Sequence, residues 1–234
     1  MATASGDSSM AKQFAEIRSQ LSSSVRIKER IRTVVMEMEA TNRLLHSSLT
    51  FIHHSPNPSE VQENTGVHVE TLKKQLRELA DILRDCPGEY YRYHGDWKNE
   101  VQFAVSSLCF LHWLDTGKLL THTEAEERLG LNPQDFGLDV EDYLIGVCLM
   151  SNELPRYVVN QVTSGDYNCP GKVLEFLTDL SVAFRMLNLR NDFLRRKFDG
   201  MKYDLRRVTE VHSDVKIRGL LPSEDIANGQ EVQI

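Results

Sequence analysis

The sequence predicts an all-α fold, on three observations. Apolar residues recur at mixed three- and four-residue spacings over long stretches, no stretch of useful length alternates with the period of two expected of a half-buried strand, and proline or glycine closes several of the periodic stretches. With 234 residues, 41% of them apolar, the chain is long enough to bury a core of its own. The organisation expected is a disordered N-terminus over 1–10, a helical domain over 11–218 and a flexible tail over 219–234.

The first helix is expected from Met10 to His54, where Phe14, Ile17, Leu21, Val25, Ile31, Val34, Val35 and Met38 mark one apolar side. Pro56 and Pro58 end it, because proline lacks a donor and disfavours helix at the residue before it. A second helix is read from Val61 to Arg84, with Leu72, Leu76, Leu79, Ile82 and Leu83 inward and Cys86-Pro87-Gly88 as its stop. The third begins near Glu89 and runs to Thr116 and Gly117. Thr121 and Glu124 have the spacing of a capping box for a short helix that Gly130 closes. The fifth, Asp139 to Thr163, is apolar around much of its circumference and so belongs in the middle, with a kink or early break at Pro155. Beyond Pro170, Phe184, Leu187, Asn191, Leu194, Phe198, Met201, Leu205 and Val208 form a heptad seam, suited to packing along another helix or subunit, with Asn191 as its polar position.

Charge is segregated. The chain carries −7 overall, yet Arg185 to Arg218 holds ten Lys or Arg against five Asp or Glu, a local +5 that leaves about −12 elsewhere. Such a balance excludes DNA binding by overall attraction and requires any nucleic-acid site to be a local concentration of cations. Cys86, Cys109, Cys148 and Cys169 are scattered, without the spacing of a zinc site or a disulfide scaffold, and fit reduced thiols. No apolar run approaches the ~18 residues of a membrane span, so an intracellular protein without a membrane partner is expected.

Two segments could meet nucleic acid. Tyr90-Tyr-Arg-Tyr-His-Gly-Asp-Trp-Lys98 places four aromatic rings beside Arg92, His94 and Lys98; rings such as Trp97 can stack on unpaired bases and the cations can hold phosphates, or the rings are core. On the last helix Arg195, Lys202 and Arg206 share a stripe that could track a phosphate backbone, or pair with Asp192 and Asp199 as ordinary surface ion pairs. Asp139, Glu141 and Asp142 suit the N-terminus of the fifth helix. A Mg²⁺ site built from Asp142 with Asp96 and Glu100 is the enzymatic alternative. There is no Ser/His/Asp signature, Walker motif or dinucleotide fingerprint.

Tyr90-Tyr-Arg-Tyr-His94, Leu138-Asp-Val-Glu-Asp-Tyr-Leu-Ile-Gly146, Val162-Thr-Ser-Gly-Asp-Tyr167, Leu187-Asn-Leu-Arg-Asn-Asp192 and Lys197-Phe-Asp-Gly-Met-Lys-Tyr-Asp204 together resemble the translin family, over nearly the whole chain after the first ten or so residues. The resemblance implies a seven-helix protomer, a hollow homo-octamer, and binding of single-stranded RNA and DNA in cytoplasm and nucleus. It also implies partnership with Trax in the endoribonuclease that removes the passenger strand of siRNA and activates the RNA-induced silencing complex.

Residue by residue, Arg92 and His94 match the family's nucleic-acid contacts, and Lys98 keeps the charge of an arginine. Asp96 stands where the family has a second histidine, and the upstream basic segment falls on Asn64 to Leu72, where His68 is the only group that could be cationic. Trax-like subunits use two glutamates and an aspartate for Mg²⁺; the matching positions here are Phe103, Ser106 and Asp142. A phenyl ring and a hydroxyl cannot replace two anionic ligands of a hard cation. The resemblance therefore implies a scaffolding, RNA-binding chain without a metal of its own, with Mg²⁺ expected in the complex with Trax.

Overall fold

The computed structural model describes residues 5–51, 58–134 and 136–221. Seven helices follow in order: α1 (Ser5–Thr50), α2 (Pro58–Arg84), α3 (Tyr90–Thr116), α4 (His122–Leu129), α5 (Val140–Thr163), α6 (Cys169–Met186) and α7 (Asp192–Ile217). Among the described residues there is no strand; one antiparallel bridge, Asn132 to Phe136, closes the loop before α5. α1 is already helical at Ser5, ahead of the expected start at Met10 and inside the stretch expected to be disordered. Ser and Ala weaken a helix little, and extending a long helix costs far less than starting one. Residues 1–4 and 222–234, which hold the rest of the expected terminal extensions, lie outside the described residues.

The local signals mostly work as the sequence implies. Thr121 Oγ1 accepts from the Glu124 amide while the Glu124 carboxylate accepts from the Thr121 amide at 2.8 Å, completing the capping box of α4. Gly117 and Gly130 close α3 and α4 at φ 69° and 66°, a left-handed conformation that favours glycine. α5 is capped by Asp139, whose Oδ1 accepts from the Glu141 amide at 2.8 Å. The expected break at Pro155 does not occur, since α5 continues through it to Thr163. Met150, Leu154 and Val158 are all buried around it, and that packing outweighs the ~3 kcal/mol an interior proline costs.

α3 and α5 form the central pair, with α1 and then α2 on one side and α7 and then α6 on the other. Their close approach depends on Gly146. A Cβ there would lie 2.6 Å from Val105 Cγ1 and 3.0 Å from the Gln102 carbonyl oxygen, so only a residue without a side chain fits.

The heptad seam is corrected. α6 ends at Met186, Leu187 is an exposed C-cap residue, and Asn191 is the N-cap of α7, its side chain accepting from the amides of Phe193 and Leu194. Local capping by Asn interrupts the run that periodicity alone made continuous. Leu194, Phe198 and Met201 are buried and Leu205 half-buried, and Phe198 stacks on Phe184 with ring centroids 5.2 Å apart. Leu194, Phe198 and Met201 of the seam thus serve the protomer's own core.

An uncovered apolar stripe runs along α1. Its C-terminal half buries Ile31, Val34 and Met38, but Met10, Phe14, Ile17, Leu21 and Val25 are exposed along the half that runs beyond the body of the bundle.

Candidate nucleic-acid interface

The nine residues from Tyr90 to Lys98 open α3, and the helix sorts them by face. Tyr93 and Trp97, four apart, are each 1% exposed and belong to the core. Trp97 is therefore corrected as a base-stacking residue: its indole packs edge-on against Tyr90 at 5.4 Å and tilted against Phe136 at 5.7 Å. Tyr91, in contrast, is 76% exposed and is the ring of this segment open to a partner. Its exposure follows from the helix phase, since positions 90, 93, 94 and 97 turn inward and 91 points away from them.

Arg92 is exposed. It donates to the Glu89 carboxylate at 2.8 Å and, across the bundle, to Ser24 Oγ of α1 at 2.9 Å. Lys98 is half-buried and has no ion pair among the described residues. Asp96 is exposed beside Val25, Lys28 and Arg32 of α1, away from the face of His94.

His94 is held rather than free. Its Nε2 lies 2.6 Å from Asp142 Oδ2, and its ring stacks on Tyr90 at 5.4 Å. The other Asp142 oxygen accepts from Gln102 at 2.7 Å, so this carboxylate joins α3 to α5. Burial, reinforced by the nearby carboxylates of Asp142 and Asp139, raises the Tyr90 phenol and keeps it neutral.

The Mg²⁺ alternative does not fit these residues. Glu100 faces α1, where its backbone carbonyl and its carboxylate both accept from Asn42 Nδ2, at 3.0 and 2.8 Å. Asp96, Glu100 and Asp142 therefore point to different neighbours, and no group of three metal-binding side chains occurs among the described residues. Phe103 and Ser106 share a groove between α1, α3 and α5 with Leu149 and Glu153, but Asp142 does not line it. Asp142 is a buried carboxylate held between His94 and Gln102.

On α7, Lys202 pairs with Asp199 at 2.6 Å and Arg206 with Glu210 at 2.9 Å, while Arg195 is exposed. The Lys202 bond holds the Asp199 carboxyl below its usual range. This is the pattern of an ion-paired helix surface, each pair worth a few tenths of a kcal/mol in solvent. In the upstream segment, Glu70 is likewise bonded to Lys73, which lowers its pKa. All four cysteines are free and buried, and burial pushes the Cys109, Cys148 and Cys169 thiols up to about 12.

Comparison with known proteins agrees with this architecture. Translin of Mus musculus is 36% identical over 230 residues, covering 95% of this chain and all of that protein; translin of Homo sapiens is 38% identical over 218 residues, covering 90% and 94%. Translin-associated protein X of Mus musculus is more distant, 22% identical over 210 residues, covering 80% of this chain and 70% of that protein. A solved structure described as an AfC3PO–duplex RNA complex shares the fold with a TM-score of 0.67 at 19% identity, covering 90% of this chain and all of that one. The translin family model matches residues 26–219, and with relatives this similar over most of its length the chain belongs to the translin family.

Proposed function

We propose that this chain is a single-stranded RNA- and DNA-binding, non-catalytic subunit of a hollow oligomer, formed with itself as an octamer and with Trax. In the mixed assembly Trax supplies the Mg²⁺-dependent endoribonuclease that cleaves siRNA passenger strands and activates the RNA-induced silencing complex, in cytoplasm and nucleus. One observation carries the reading: the free half of α1, with its apolar stripe, is tied at Ser24 to Arg92 at the exposed start of α3. The surface that needs a neighbouring subunit thus lies beside the segment whose cations match the family's nucleic-acid contacts. The phenyl ring of Phe103 and the hydroxyl of Ser106 at the groove support the non-catalytic assignment.

The test is binding of a labelled single-stranded RNA to the purified oligomer across a salt series, beside an Arg92→Ala/Lys98→Ala variant. His94 is left in place because its loss would strip Asp142 of a partner. Affinity that falls with salt, and a weaker and flatter dependence in the variant at unchanged oligomer mass, is the expected result. Equal binding by the two proteins sinks the assignment of Arg92 and Lys98.

A further inference from the structure

We infer that Ser24 of α1 is a positioning residue for RNA binding: it holds the Arg92 guanidinium in place for a phosphate group of the strand. The inference rests on the function proposed above and adds to it the residue, on a second helix, that prepares the contact.

Arg92 is an exposed side chain fixed from three sides. Its Nη1 donates to the Glu89 carboxylate at 2.8 Å and its Nη2 to Ser24 Oγ at 2.9 Å. The guanidinium carbon also lies 5.5 Å from the ring centroid of Tyr93, a core residue that does not move. Glu89 is a near neighbour in the chain, but Ser24 reaches Arg92 from 68 residues away and from another helix. Stability is a weak reason for this arrangement, because an exposed ion pair gains little once a long side chain has been ordered to make it.

The N–H groups left over supply a better reason. A guanidinium carries five, and these two bonds use two of them; the other three have no partner among the described residues. The side chain stays 52% exposed, so they are open to a ligand. A planar fork with free N–H groups is what a phosphate takes two bonds at a time. Fixing the fork beforehand removes the cost of ordering it from the binding step. Ser24 suits the task in a way that a second carboxylate would not. Its hydroxyl accepts from the guanidinium without adding negative charge, so it fixes Arg92 and leaves the attraction for phosphate in place.

The experiment is a double-mutant cycle on the full-length oligomer. Binding of a labelled single-stranded RNA is measured over a salt series for wild type, Ser24→Ala, Ser24→Thr, Arg92→Ala and Ser24→Ala/Arg92→Ala, with oligomer mass and urea midpoint recorded for each. Ser24→Ala should weaken binding about twofold to tenfold at every salt concentration, the range that ordering one flexible side chain implies. Its salt slope should match wild type, since Arg92 still neutralises its phosphate, whereas Arg92→Ala should flatten the slope. Ser24→Thr keeps the hydroxyl and should keep the affinity. In the Arg92→Ala background, Ser24→Ala should cost nothing further, because the group it positions is gone. An equal cost in both backgrounds would show that Ser24 only pins α1 to α3, and would overturn the role. An oligomer that binds RNA through Arg92 and is indifferent to Ser24→Ala overturns this role alone. An intact oligomer that binds no RNA overturns the function proposed above and this role with it.

Discussion

His94 and Asp142 are joined across α3 and α5 by a 2.6 Å contact between side chains that are 16% and 4% exposed. Two residues that separately invite assignment to phosphate binding and metal binding thus satisfy each other. With Gln102 on the second oxygen, Asp142 fixes the first turns of α3 against the start of α5 and so sets where Arg92 and Tyr91 project.

Asp142→Ala removes the acceptor of both His94 and Gln102 and leaves buried polar groups unmet. A loss of about 1 to 3 kcal/mol is expected for each such group left unpaired. Urea unfolding should show it as a lower midpoint, accompanied by weaker RNA binding because the start of α3 is loosened. Unchanged stability would mean that Asp142 does not join the two helices.

Gly146→Ala should destabilise by about 1 to 3 kcal/mol, since the new methyl meets Val105 at 2.6 Å in a packed interface. Adding Val105→Ala removes Cγ1, the nearer of the two Val105 atoms it strikes, and leaves Cβ at 2.7 Å. The double substitution should therefore cost less than the sum of the two single ones, a coupling that a double-mutant cycle in urea measures directly. Strict additivity would show that the clash is relieved elsewhere.

How far the sequence carries is visible in these positions. Periodicity, the Thr121 and Glu124 box and the closing glycines are local signals, and they locate the first five helices to within a few residues. The division between α6 and α7 was not legible, because a run of three and four spacings through Leu187 looks helical whether or not Asn191 turns its side chain back to cap a new start. Burial at the start of α3 was also hidden. Tyr91 and Trp97 are both aromatic and six apart, and which of them faces water depends on where Phe136 returns from a distant loop. The partners of Asp142 and Asn42 lie 40 to 58 residues away, beyond the reach of any motif.

Asp204 on α7 is buried and accepts from Ser151 at 3.2 Å, and burial raises its pKa above 3.8 despite that bond. The folded protein then holds this proton more tightly than the unfolded chain. As pH rises from about 4 through the raised folded value, the unfolded state releases the proton first and this group's contribution makes the fold less stable. Asp204→Asn removes the buried charge and should raise the urea midpoint at pH 7, with the gain over wild type shrinking as pH falls toward 4. A variant less stable at pH 7 would show that the charged carboxylate is compensated.

The groove also predicts what restores a metal site. Phe103→Glu/Ser106→Glu alone should bind Mg²⁺ poorly, because Asp142 is occupied by His94 and Gln102 and lies outside the groove. Adding Leu149→Asp brings a fourth carboxylate to the same space, beside the two new ones and Glu153, and a hard dication prefers several such oxygens. Calorimetric titration should show Mg²⁺ binding in the triple variant and little in the double one. Equal binding by both would show that the two new carboxylates and Glu153 already suffice.

Leu21→Lys, in the middle of the α1 stripe, should divide the oligomer. An apolar side chain such as Phe14 or Leu21 contributes about 1.5 to 3 kcal/mol when fully buried, and a charge in its place must be desolvated for the contact to form. The isolated protomer loses nothing, since Leu21 is exposed within it. Light scattering should report a smaller species, while helix content by circular dichroism stays at the wild-type level. Leu205→Lys provides the contrast: Leu205 packs against the core of its own chain, so the helix bundle itself should be weakened. If Leu205→Lys dissociates the oligomer with the protomer intact and Leu21→Lys leaves it whole, the subunit contact lies on α7 after all and the arm of α1 has another partner.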